Sequence, residues 1–190
     1  MKRIITLSLI AGLALFANCG NGNTETEKTE TTMTAEQSLH DELNVKKKAF
    51  NEKAPQAKKE MYAKGIESVA GSGVIENAMQ VGDKAPNFIL NNAKGEEVSL
   101  VAYLTKGPVV LTWYRGGWCP YCNITLNRLQ KELPNFQALG ANLIALSPEL
   151  PDSSISTKEK NELSFAVLSD VGNNVARDYG VVYKLPDPVA

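Results

Sequence analysis

Val109-Val110-Leu111-Thr112-Trp113-Tyr114-Arg115, running through Gly116-Gly117 into Trp118-Cys119-Pro120-Tyr121-Cys122, is the stretch that decides the fold. Its first half is a continuous apolar run with β-branched and aromatic residues, the pattern of a central strand buried on both faces. Its second half puts two thiols two residues apart where the strand turns into a helix. Ile124, Leu126, Leu129 and Leu133 then supply an approximate helical stripe, closed by Pro134. A cysteine reacts as its thiolate. A helix N-terminus, with free N–H groups and the positive dipole end, lowers a thiol pKa from its reference of about 8.5. The position suits redox chemistry rather than packing.

Working outward, Ala141 to Leu146 reads as a second buried strand after Gly140, and Thr157 to Leu163 as a polar helix. Phe165 to Leu168 is expected as a third strand, and Asn173 to Tyr179 as a short helix ended by Gly180. Upstream, Phe88-Ile89-Leu90 and Glu97-Val98-Ser99-Leu100 flank Asn91-Asn92-Ala93-Lys94-Gly95, which reads as a hairpin. Strands alternating with helices indicate an α/β fold with a parallel core.

The chain has 190 residues, 43% hydrophobic and 22% charged, enough for one domain plus appendages. A net charge of −1 argues against a nucleic-acid partner. One histidine and three cysteines do not make a four-ligand zinc site, since Cys119 and Cys122 lack a second pair. No phosphate-binding glycine loop or paired-carboxylate signature is present, and no metal or cofactor is expected. Four regions are expected: 1–19, 20–34, 35–79 and 80–190. Lys2 and Arg3 precede an apolar run, Ile4 to Ala17, too short to span a bilayer and read as a signal peptide. It ends at Phe16-Ala17-Asn18-Cys19, which resembles a lipoprotein lipobox and makes Cys19 the lipidation candidate. The alternative is an ordinary cleaved leader. Either reading exports the protein, to the bacterial periplasm or as a membrane-anchored lipoprotein, where disulfides persist. Gly20 to Thr34 has almost nothing apolar after Cys19 and reads as a solvated tether. Ala35 to Ala54 and Gln56 to Val69 have helical character, broken at Pro55. Gly71-Ser72-Gly73 is a hinge before a short helical turn, Val74 to Met79. Lys46 to Lys48 is read as a solvated helix face, and His40 as exposed and without a role.

Gly82-Asp83-Lys84-Ala85-Pro86-Asn87-Phe88-Ile89-Leu90 resembles the opening of peroxiredoxins of the alkyl hydroperoxide reductase/thiol-specific antioxidant (AhpC/TSA) type. Leu168-Ser169-Asp170, Ala176 and Tyr179-Gly180-Val181 resemble a later block of the same family. Tyr114 to Asn123 is similar to the signature of a bacterial peroxiredoxin-like subgroup. The resemblance runs from about Val81 to the end. It implies a thioredoxin-like, peroxiredoxin-type sandwich carrying an N-terminal helical extension. It also implies a thiol-dependent peroxidase that reduces hydrogen peroxide and organic hydroperoxides, with a thioredoxin-like external dithiol as reductant.

Two departures bear on the site. The family's active-site pattern is Pro-x-x-x-Thr-x-x-Cys. Laid on this chain it puts Arg115 at the Pro, Cys119 at the Thr and Cys122 at the attacking cysteine. Laid on thioredoxin instead, Trp118 and Cys119 match the Trp and the nucleophile, and Cys122 the resolving cysteine. The two overlays assign opposite roles to one pair of sulfurs. Following the larger resemblance, Cys122 is expected to attack and Cys119 to resolve, with Arg115 and Trp118 supporting the thiolate or peroxide. Arg115 reads equally as a strand-end charge, and Trp118 and Tyr121 equally as packing. The second departure is that neither the family's late Arg nor a cis-proline facing the thiols is recognisable before Ala190. The C-terminal strands of the fold are therefore expected to be missing and a sheet edge exposed. Two other readings stand beside the peroxidase. One is an exported thioredoxin-like thiol–disulfide oxidoreductase with Cys119 as nucleophile. The other is a non-catalytic truncated redoxin lipoprotein.

Overall fold

Residues 38–185 are described by a computed structural model. The leader, Cys19, the tether and the residues from Pro186 onward lie outside the described residues. The described chain opens with α1 (Leu39–Lys53), α2 (Gln56–Ala70) and α3 (Val74–Asn77). The break between α1 and α2 falls at Ala54–Pro55, because proline has no N–H to continue a helix. Ser38 caps α1: its hydroxyl accepts the Asp41 N–H at 3.2 Å, and the Asp41 carboxylate accepts the Ser38 N–H at 3.3 Å. The Ser38 hydroxyl and N–H hold the Asp41 carboxyl below the usual carboxylate range. The Phe50 and Tyr62 rings, centroids 5.1 Å apart, join α1 to α2. Lys46, Lys47 and Lys48 are exposed, as a solvated face requires, and so is His40.

β1 (Ile89–Asn91) and β2 (Glu97–Ser99) form the expected antiparallel hairpin, with Leu90 opposite Val98. The Asn92 side-chain oxygen closes its turn by accepting the Lys94 N–H at 2.9 Å and the Glu96 N–H at 3.0 Å. The hairpin was expected to reach Leu100. Instead Leu100 starts α4 (Leu100–Leu104), because its side chain, 3% exposed, turns into the core.

β3 (Val109–Trp113), β4 (Asn142–Ser147) and β5 (Ala166–Ser169) form a parallel sheet in that order. Between them lie α5 (Pro120–Ala138) and α6 (Pro151–Lys160), and α7 (Asn174–Asp178) follows. Leu111 pairs with Ile144, and Ile144 with Ala166. The apolar run of β3 predicts a central strand; among the described residues the strand with a neighbour on each side is β4. Residues 143–147 of β4 are buried, whereas all of β3 is only half-buried. Among the described residues β3 pairs with β4 only.

Alternate β4 residues face opposite cores, as the two-residue period of a strand demands. Leu143 and Ala145 pack with Leu126 and Leu133 of α5, Tyr114, Phe165 and Val167. Ile144 and Leu146 pack with Phe88, Leu100, Leu168, Val175 and Tyr179. Two helix boundaries depart from the sequence expectation. Pro134 does not close α5, which runs to Ala138. A proline inside a helix costs about 3 kcal/mol; buried Leu133 anchors the helix just before it and half-buried Phe136 just after it. The helix expected over Thr157 to Leu163 begins six residues earlier, with Pro151 at its first turn, a position that wastes no hydrogen bond.

Candidate redox site

Beyond β3 the ladder continues for one residue, with the Tyr114 N–H donating to the Leu146 carbonyl at 3.0 Å. The chain then leaves the sheet through Arg115-Gly116-Gly117-Trp118, and the Cys119 N–H closes this turn on the Gly116 carbonyl at 3.0 Å. Cys119 is the N-cap of α5, with Pro120 at the first helical position. The strand–turn–helix placement inferred for the two thiols is therefore the one observed.

Two donors converge on the Cys119 sulfur. The Cys122 N–H lies 3.2 Å from Sγ, and an Arg115 guanidinium nitrogen also 3.2 Å. Both favour negative charge on this sulfur, one as a free amide at the helix start and one as a cation. Cys119 and Cys122 form a disulfide, their Cα atoms 5.2 Å apart. Cys119 is fully buried, while Cys122 is half-buried and packs against the core cluster that contains Tyr114 and Leu126. The Arg115 guanidinium also lies over the Trp118 ring, 5.2 Å from its centroid, and Trp118 is 65% exposed. Arg115, Trp118, Cys119 and Cys122 are thus brought together. Tyr121 is half-buried on the first turn of α5.

A second polar layer, unseen in the sequence, lies behind the turn. The Glu149 carboxylate, after β4, accepts the Gly117 N–H at 3.0 Å on one oxygen and the Thr157 hydroxyl at 3.2 Å on the other. The Gly117 carbonyl accepts from the Asn123 amide at 2.8 Å, and Asn123 in turn accepts from Asn161 at 3.0 Å. The Tyr114 hydroxyl is buried without a partner of good geometry, with Ser154, Ser147 and Thr157 as polar neighbours. Burial holds its ionisation above the ordinary tyrosine value. The only trace of this layer in the sequence is Gly116-Gly117. A Cβ on Gly116 would stand 2.8 Å from a Glu149 carboxylate oxygen and strike the Trp118 ring, and Gly116 has φ +152°. A Cβ on Gly117 would strike the Thr157 hydroxyl.

The later sequence blocks have structural work. Asp170, 1% exposed, accepts the Val175 and Ala176 N–H groups at 3.1 and 2.9 Å and so starts α7. The Tyr179 hydroxyl donates to the Pro86 carbonyl at 2.8 Å, and the Tyr179 ring packs at a tilt of 51° against Trp113 with centroids 5.0 Å apart. Among the described residues, no group of three or more His, Cys, Asp or Glu gathers to hold a metal. No described helix is long and apolar enough to cross a membrane.

Residues 81–189, more than half of the chain, match the model of the AhpC/TSA family. The chain is 28% identical over 121 residues to the thiol-disulfide oxidoreductase ResA of Bacillus thuringiensis, covering 63% of this chain and 69% of that protein. It is 31% identical over 112 residues to the chloroplastic peroxiredoxin Q of Triticum aestivum, covering 59% of this chain and 51% of that protein. Among solved structures, it resembles the peroxidoxin BcpB of Mycobacterium tuberculosis at 26% identity and a TM-score of 0.54, covering 56% of this chain and 70% of that one. The chain thus spans only about half to 70% of the proteins it matches. The mixed α/β architecture with peroxiredoxin neighbours, and the helical region ahead of it, agree with the expected fold class.

Proposed function

The chain belongs to the AhpC/TSA family, and we propose that it is a thiol peroxidase cycling between a Cys119/Cys122 dithiol and their disulfide. The observation that carries this reading is the convergence of the Arg115 guanidinium and the Cys122 N–H on the Cys119 sulfur, with its disulfide partner one helical turn along.

The same observation orders the steps. The sulfur best held as a thiolate is Cys119, so the geometry favours first attack there, the reverse of the order drawn from the family's cysteine pattern. In the reduced protein the Cys119 thiolate attacks the distal peroxide oxygen. The O–O bond breaks, Cys119 becomes a sulfenic acid, and the departing alkoxide or hydroxide takes a proton and leaves as alcohol or water. The Cys122 thiol then attacks the sulfenic sulfur, expelling water and forming the disulfide. An external dithiol attacks the half-buried Cys122 sulfur, and Cys119 departs as its stabilised thiolate. A second thiol of the reductant then closes on the mixed disulfide and frees Cys122. A low-pKa leaving group speeds this exchange. The full burial of Cys119 suits a substrate as small as a hydroperoxide. The compartment proposed is outside the cytoplasm, on the leader pattern of residues 1–19 alone.

The second reading, thiol–disulfide exchange on protein substrates, is favoured by the half-buried Cys122 and by the similarity to ResA. Stopped-flow consumption of hydrogen peroxide and cumene hydroperoxide, set beside insulin disulfide reduction, separates the two. The peroxidase reading expects rapid single-turnover loss of peroxide with little insulin reduction. Inertness to both peroxides with efficient insulin reduction would transfer the site to the second reading.

A further inference from the structure

We propose that Glu149 is a positioning residue for the thiol pair, clamping the turn that delivers Cys119 to its two donors. The inference rests on the reading of the pair as a redox centre, and it concerns a residue on a different strand–helix connection. The Gly117 N–H, two residues before Cys119, donates to one Glu149 oxygen at 3.0 Å, and the Thr157 hydroxyl donates to the other at 3.2 Å. Glu149 is itself held, since its N–H donates to the Ser147 hydroxyl at 3.2 Å at the end of β4. The next peptide is gripped from α5, where the Asn123 amide donates to the Gly117 carbonyl at 2.8 Å. Asn161 then ties Asn123 back to the Thr157 carbonyl, at 3.0 and 2.9 Å. Gly117 is therefore bonded through both its N–H and its C=O, fixing the two successive peptides that meet at it, and the ring of contacts closes through α6.

This arrangement accounts for the glycine pair. Any side chain at 117 displaces Thr157, and one at 116 crowds Glu149 and Trp118. A carboxylate suits the clamp because it offers two acceptors to two donors from different elements. Without it, a partly buried N–H is left unpaired one residue from Trp118, and the backbone that aligns Arg115 with the Cys119 sulfur loses its stop. Glu149 touches neither sulfur in this geometry, so its effect reaches the chemistry through Gly117.

The test is iodoacetamide alkylation of the fully reduced protein as a function of pH, for wild type, Glu149→Ala, Glu149→Gln and Thr157→Val, each checked for a cooperative thermal transition. Glu149→Ala is expected to alkylate roughly three- to tenfold more slowly at pH 7 and to shift the profile to higher pH. Glu149→Gln keeps an acceptor for the Gly117 N–H and is expected within about twofold of wild type. Thr157→Val, losing one of the two fixings, should fall between them and decides the matter if Glu149→Ala does not fold. A Glu149→Ala profile superimposed on wild type overturns the proposal, as does a Glu149→Gln variant as slow as Glu149→Ala. Failure of the underlying redox reading looks different: wild type itself would then follow the profile of an ordinary thiol near about 8.5.

Discussion

Replacing Arg115 with Gln removes the cation that lies 3.2 Å from the Cys119 sulfur while keeping a side chain of similar reach. A hydrogen bond to a charged group contributes about 1.5–3 kcal/mol. Arg115 is exposed, so solvent and salt screen it and the lower end applies. At about 1.4 kcal/mol per unit, the loss raises the thiol pKa by roughly one unit. The N-cap amide remains, so some acidity survives. For a thiol that titrates above neutrality, one unit removes about nine-tenths of the thiolate at pH 7. The remaining thiolate is more basic and about threefold more nucleophilic, since the Brønsted slope is about 0.4–0.5. The net expectation is a rate about threefold lower at pH 7, with a plateau at high pH that exceeds wild type. Alkylation of the reduced protein across pH 5–10, at low and high salt, reads both quantities. Arg115→Lys, which keeps the charge but not the planar fork, should lie between. Profiles of Arg115→Gln and wild type that coincide at low salt would mean that the guanidinium contributes nothing to the sulfur.

Leu126, 1% exposed between Tyr114, Leu143 and Phe165, is expected to cost about 2–5 kcal/mol when cut to Ala; denaturant melts showing under 1 kcal/mol would contradict the packing described. Burial holds the Tyr114 hydroxyl above its ordinary value, so the unfolded chain releases this proton first as pH rises. Stability should therefore be intact below about pH 10 and decline above it, and Tyr114→Phe should flatten that decline in melts at pH 8–11. Tyr179, raised by burial in the same direction, would keep a residual slope in that variant. Gly180 sits at φ +70° with the Asn77 carbonyl where a Cβ would go, so Gly180→Ala should lower the thermal midpoint and free the α3 segment to proteolysis; an unchanged midpoint would exclude that close approach.

The features legible in the sequence were those that short-range physics writes into short stretches. The hairpin was marked by Asn92 and Gly95 between the apolar triplet Phe88-Ile89-Leu90 and the alternating stretch Glu97-Val98-Ser99-Leu100. The parallel core was marked by three apolar runs separated by helical spacing, and the thiol site by the cysteine spacing at a strand-to-helix boundary. The break at Pro55 needed only the missing N–H. Where Pro134 lay inside a helix, the same rule failed, since buried Leu133 before it and half-buried Phe136 after it carry the helix across the lost bond. The order of the sheet was not legible, because the apolar run of β3 says how much of a strand is suited to burial and not which strand lies beside it. Helix α6 was placed late, its first turn carrying Pro151, Asp152 and serines rather than an apolar stripe. The contacts of Glu149 with Gly117 and Thr157 join residues 32 and 8 positions apart, a pairing that no local pattern records. The glycine pair showed only that something must approach closely, and the fold supplied what it was. The two overlays of the cysteine motif could not be separated by spacing, whereas the donors around one sulfur distinguish it from the other.

The proposed cycle turns on Cys119 being the sulfur that meets the peroxide. Reduced Cys122→Ser and Cys119→Ser proteins, each given one equivalent of hydrogen peroxide in the presence of dimedone, test it by mass spectrometry of the tryptic peptide carrying both positions. The expected result is a dimedone adduct on Cys119 in Cys122→Ser, formed at nearly the wild-type rate, with Cys119→Ser left largely unmodified. A fast adduct on Cys122 in Cys119→Ser, with Cys122→Ser inert, would contradict it and return first attack to the second cysteine.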